Sequence, residues 1–109
     1  MRPVIIKAYG AIDPATTETL ADVQAVLDSW FINDAVALER DMLKISFEGD
    51  VFPDEDVVSA LRPYLTARSK GRLDILDLEE WTLRRWIFSG MDVKVNTVTL
   101  NKALDTSLL

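Results

Sequence analysis

Asp77-Leu78-Glu79-Glu80-Trp81-Thr82-Leu83-Arg84-Arg85-Trp86-Ile87-Phe88-Ser89-Gly90 is the stretch on which the architecture turns. Asp77 and Glu80 carry the side-chain types of a helix N-cap and its partner three residues on, with acids filling what becomes the first turn. Gly90 stands where a helix end takes a left-handed residue. On these signals the spacing predicts a helix over residues 78–89. A strand is the competing reading, because Trp81, Leu83 and Ile87 also alternate, with Arg85 interrupting. As a helix, the segment sets Trp81 and Arg85 one turn apart, able to stack as a cation–π pair.

Upstream the pattern is plainer. Val4 to Tyr9 is apolar on both sides apart from Lys7, as a central strand is, and Gly10 breaks it. Asp13-Pro14 then opens a helix, with aspartate as N-cap and proline at the first helical position. Leu20, Val23, Leu27, Trp30 and Phe31 fall on one helical stripe. Asn33-Asp34 marks a turn, followed by strands over 35–39 and 42–48 joined at Arg40-Asp41; in the second, Leu43, Ile45 and Phe47 alternate with polar residues. Phe52-Pro53-Asp54 begins another helix, striped by Val57, Val58, Leu61, Tyr64 and Leu65. Pro63 inside it predicts an early end or a kink. Gly71 releases the chain into a strand over 72–76. Beyond Gly90, Val93, Val95 and Val98 suggest a short strand, and residues 100–104 a last helical turn.

A weak repeat accompanies this order: Gly10-x-x-x-Pro14 and Gly49-x-x-x-Pro53 share a spacing and align Val4 with Leu43 and Ile6 with Ile45. Strand–Gly–Pro–helix units repeated in this way make a βαββαβ unit. The expected fold is therefore α+β: a ferredoxin-like βαββαβ two-layer sandwich over residues 1–77. Residues 78–109 form an added C-terminal helix/strand extension, packed on the sheet or at an oligomer interface, and the whole is one domain.

The chain has 109 residues, one domain's worth, with 49 % hydrophobic and 28 % charged residues, which excludes the disordered and fibrous classes. Neither Cys nor His is present. That removes thiol nucleophiles, disulfides, zinc fingers, iron–sulfur clusters and every Ser-His-Asp or Cys-His device. No apolar run is long enough to span a membrane, and Met1 to Lys7 carries too short a one for a signal peptide; with no cysteine, the expected location is cytoplasmic.

Net charge is −6, unevenly spread: residues 8–61 carry twelve acids against Arg40 and Lys44, whereas residues 62–109 carry six acids against eight bases. The balance makes nucleic acid an unfavoured partner. Arg62, Arg68, Lys70 and Arg72 run without an intervening acid and are candidates for anion binding, or simply a solvated helix end.

No Gly-rich phosphate loop or hydrolase motif is present, and the four glycines read as turn punctuation. Asp50, Asp54, Glu55 and Asp56 cluster between strand and helix. As a carboxylate pair they are candidates for acid–base work, and Asp50, Asp54 and Asp56 are weak candidates for a metal, although helix N-termini attract acids unaided. No cofactor is expected. The third strand lacks the basic, aromatic motif of an RNA-recognition module. The loop after the first strand lacks the arginine of an acylphosphatase-like enzyme.

The residue types enriched at binding hot spots gather at Trp81, Arg84, Arg85, Trp86 and Phe88, the candidate interface. Residues 78–109 hold too much apolar surface to leave wet. The expected function is a non-catalytic protein-interaction or regulatory module, homo-oligomeric through this segment. The alternatives are a small enzyme or metal/ligand binder using Asp50–Asp56, and an acidic inhibitor or immunity-type protein masking a basic site.

Overall fold

The computed structural model of the chain describes residues 4–105, the side chains of 103–105 excepted. Met1 to Pro3, the start of the stretch read as too short for a signal peptide, and residues 106–109, the end of the expected extension, lie outside them. Along the chain run β1 (Ile6–Asp13), α1 (Thr17–Ser29), β2 (Val36–Glu39), β3 (Met42–Gly49), α2 (Asp54–Leu61), a 3-10 turn (Arg62–Tyr64), β4 (Lys70–Asp77), β5 (Thr82–Ser89), β6 (Asp92–Thr99) and α3 (Leu100–Asp105). The strands form one six-stranded antiparallel sheet in the order β2-β3-β1-β4-β5-β6.

Register assigns the faces. Ala8 lies opposite Phe47 and Ile75, and Ile75 opposite Arg84. One face thus carries Ala8, Ile12, Leu43, Ile45, Leu73, Ile75, Trp86 and Phe88. These form the core with Val23 and Leu27 of α1 and Val57, Val58 and Leu61 of α2. The opposite face is open and polar, except at one corner where Leu100 of α3 packs with Leu83, Leu76, Leu78 and Val98.

The stretch 77–90 is not a helix. Residues 82–89 are strand β5, paired with β4 from Asp77↔Thr82 to Lys70↔Ser89. The Asp77 side chain does cap, but it accepts from the backbone N–H groups of Glu79 and Glu80 (3.0 and 2.9 Å) to fold the β4–β5 hairpin loop. An aspartate that satisfies two following amides serves a turn as readily as a helix start. Trp81 closes the loop with φ +58°. Gly90, likewise, is not a helix terminus. It sits at φ +62° in the two-residue turn between Ser89 and Asp92 and donates to the Ser69 carbonyl at 2.7 Å. Residues 78–100 therefore lengthen the sheet edgewise by two strands and send Trp86 and Phe88 into the core.

Three further corrections concern the helix starts and the glycines. Asp13 is the last residue of β1, and the α1 cap is Thr16, which forms a reciprocal box with Thr19. Asp13–Pro14, a cis peptide, precedes that cap. Gly10 does not end β1 but lies within it: a Cβ there would stand 2.5 Å from the Arg72 carbonyl oxygen, so close approach of two strands explains the glycine. Gly49 instead closes β3, so the two glycines of the apparent repeat do not occupy equivalent places. The Arg40-Asp41 connection is the two-residue turn the spacing predicts, with Glu39 opposite Met42. Helix α2 gives way to a 3-10 turn at Arg62, immediately before Pro63.

Candidate functional site

Two of the sequence-derived groups meet in the folded chain. Asp54, at the first turn of α2, is buried with only 4 % of its surface exposed, and two residues of β5 reach it from the sheet. Trp86 donates Nε1–H to Asp54 Oδ2 at 2.8 Å, and Arg84 donates from Nη2 to Oδ1 at 3.1 Å. Arg84 Nε stands 2.9 Å from Oδ2 as an ion-pair contact, without the alignment of a hydrogen bond. A carboxylate held by three nitrogens in an apolar surround is structural: it fixes the N-terminus of α2 to the sheet. Its oxygens are committed, and among the described residues no three carboxylates are arranged to hold a metal ion. Of the other acids in the cluster, Glu55 and Asp56 are exposed and Asp50 lines a cleft with Arg84, Asp77 and Thr97.

Arg85 points to the open face. Its guanidinium makes a two-pronged pair with Asp74 (Nε–Oδ1 2.8 Å, Nη2–Oδ2 3.0 Å), and the hydrogen bonds to that carboxylate raise its pKa. It is therefore committed to Asp74, and the helical Trp81–Arg85 stack does not form. Arg72, from the basic run, shares Asp74 at 3.5 Å. Arg62, Arg68 and Lys70 are spread over the 3-10 turn, the following loop and the start of β4, all exposed. Elsewhere on this face Tyr9 donates to Glu48 at 2.8 Å, and Lys7 lies 3.5 Å from the same carboxylate. The Tyr9 bond and the Lys7 charge hold Glu48 below the ordinary carboxylate range and push Tyr9 up.

The candidate interface residues divide. Trp86 and Phe88 are buried in the core at 8 % and 2 % exposure, covered by this chain itself. Trp81 is exposed and donates Nε1–H to Asn101 at 2.9 Å, while the Leu100 amide bonds the Trp81 carbonyl, tying α3 to the hairpin loop. The apolar side chains this segment leaves exposed are Trp81, Ile87, Met91 and Val95. β6 is one of the sheet's two edge strands: eight residues, none of them fully buried.

Sequence reasoning missed another exposed set. Trp30 and Phe31, assigned to the buried stripe of α1, lie past its end, and Phe31 is 91 % exposed. The Asn33-Asp34 turn signal just downstream was the available warning that the helix stops short of them.

No family model, no curated protein and no solved structure compared with the chain matches it.

Proposed function

We propose that this chain is a non-catalytic protein-interaction module that self-associates through the free edge of β6, in line with the expectation of a homo-oligomer built on the C-terminal segment. The observation that carries the reading is the edge itself. Among the described residues, β6 offers eight residues of backbone without a strand partner on one side, a length of about 27 Å. Natural sheets blunt such edges with very short strands, charged side chains (lysine above all), proline or bulges, and of these β6 has, between its ends, a lysine alone. The opposite edge, β2, has four residues. β6 has only Lys94 as a charge between its ends.

A second copy suits this edge. Two identical strands related by a two-fold axis perpendicular to the sheet pair antiparallel and keep each face continuous. Centred on Val95, that register sets Val95 against Val95 and Val93 against Thr97 on the helix-side face. Lys94 then meets Asn96 on the other. No like charges meet, and the half-exposed Val95 loses its contact with water.

The finer fold reading belongs to the same proposal. Strands β1 to β4 with α1 and α2 are a ferredoxin-like βαββαβ unit, supported by the order β2-β3-β1-β4 with antiparallel neighbours throughout. So does a cytoplasmic location, whose support is the cysteine-free composition. Among the described residues no helix is long and apolar enough to cross a membrane.

Light scattering coupled to size-exclusion chromatography tests the self-association. The intact chain is expected at twice 12.3 kDa. Val95→Lys, which places like charges opposite each other at the two-fold, weakens the dimer by at least about tenfold. Its unfolding midpoint as a monomer stays unchanged. A wild-type chain that remains monomeric at millimolar concentration overturns the proposal.

A further inference from the structure

The end of α1 holds an aromatic residue where a helix normally places glycine. Ile32 N–H bonds the Leu27 carbonyl and Phe31 N–H the Asp28 carbonyl, both at 3.0 Å, the two bonds of a Schellman helix end. Phe31 occupies its left-handed position, φ +59°. Ile32 supplies the buried anchor of the motif, so the chain gains nothing internal from the Phe31 ring, which projects into solvent. A bulky residue at positive φ with an unburied ring is a strained placement that the fold does not require.

The surroundings say what the ring can meet. Trp30, Val4 and Val51, all exposed, line a groove of about 670 Å³ with Phe31. Its rim carries Asp34, Glu48 and Asp50. Trp30 also lines the adjoining depression, where Glu55 and Asp56 stand. Apart from Val4 and from Arg84, which lines the adjoining depression paired with Asp54, these residues belong to the segment 8–61, where twelve acids face two bases. Of the rim acids, Glu48 is paired with Lys7.

We infer that this groove docks a cationic segment of a partner protein, one that inserts an apolar side chain beside Phe31 and Trp30 and sets lysines or arginines against the acidic rim. Aromatic anchors inside a charged rim are the anatomy of an interaction site, and the charge sign selects a basic occupant. The surface is separate from the dimer edge: β1, β4 and β5 lie between β3, at the groove, and β6.

A displayed library of random peptides, selected on the intact protein and counter-selected on Phe31→Gly, tests this. Selected peptides are expected to carry two or more Lys or Arg around an aromatic or aliphatic residue. They bind the wild type at least about tenfold more tightly than Phe31→Gly, and more weakly as salt rises. Phe31→Gly melts at or above the wild-type temperature, so lost binding does not reflect lost folding. Asp34→Asn, compatible with the φ of +59° at that position, lowers affinity with the fold intact. Binding persists in Val95→Lys, which separates this result from the fate of the dimer. Enrichment of neutral or acidic peptides, equal binding to Phe31→Gly, or no enrichment at all overturns the inference.

Discussion

Replacing Asp54 by alanine removes the acceptor for two residues of a different element, and the cost follows from their burial. Trp86 is 8 % exposed, so its Nε1–H, bonded to Asp54 at 2.8 Å, has no access to water once the carboxylate is gone. An orphaned buried donor costs about 1–3 kcal/mol. Arg84 is different: its side chain is 41 % exposed, and the guanidinium can turn out to solvent. The ion pair therefore contributes well below the roughly 3–5 kcal/mol of breaking a fully buried one, about 1 kcal/mol. Losing a carboxylate from the first turn of α2 adds some tenths of a kcal/mol. Asp54→Ala is thus expected to destabilise the fold by about 2–4 kcal/mol. Urea titration followed by tryptophan fluorescence and by circular dichroism measures it. Trp86→Phe deletes the N–H together with part of the buried ring, so the cycle of single and double variants, which cancels the packing loss, isolates the bond, with a coupling of about 1 kcal/mol or more. A cost under about 0.5 kcal/mol for Asp54→Ala, or strict additivity with Trp86→Phe, would refute the assignment of Asp54 as the link between helix and sheet.

Other expectations follow from single positions. Gly71→Ala brings a Cβ to 2.4 Å from the Ala11 carbonyl oxygen inside the β1–β4 pairing, and should cost about 1–3 kcal/mol in urea unfolding; a neutral effect contradicts the close approach. Phe31→Gly relieves a left-handed phenylalanine whose ring is exposed, and should stabilise by about 1 kcal/mol; a loss of stability means the ring packs internally. Tyr64, whose hydroxyl donates to Asp22, has its pKa pushed up to about 12 by that bond. Because the folded value lies above the ordinary 10.0, the stabilisation is complete below pH 10.0 and is lost as pH rises towards 12. Ultraviolet titration of tyrosinate should show this late step, and Tyr64→Phe should remove it.

Where local pattern and burial coincide, the fold is readable from the residues. The alternation of Leu43, Ile45 and Phe47 gives β3 and its inward face, and Pro63 gives the end of α2. The misreading of 77–90 has a specific cause. β5 carries one arginine on each face, Arg84 inward and Arg85 outward, and each breaks the alternation that marks a strand. Both are explained only by acids distant in sequence, Asp54 and Asp74, which accept them in the folded chain. Nothing within the window announces those partners, while Asp77 and Gly90 imitate helix boundaries through genuine turn chemistry. Gly10 and Gly71 looked like punctuation for a similar reason, since close approach of strands is a tertiary fact. As to sites, the arginines, tryptophans and acids were visible as residue types. Which were consumed internally (Trp86, Phe88, Asp54, Arg85) and which stayed exposed (Val95, Trp30, Phe31) depended on the sheet order.

The claim that β6 is an interface is tested most directly by amide hydrogen exchange at two protein concentrations, low and high. Alternate amides of β6, those directed away from β5, should exchange freely in the dilute sample and become protected in the concentrated one, while β2 amides stay unchanged. Exchange along β6 that is equally fast at both concentrations contradicts the account.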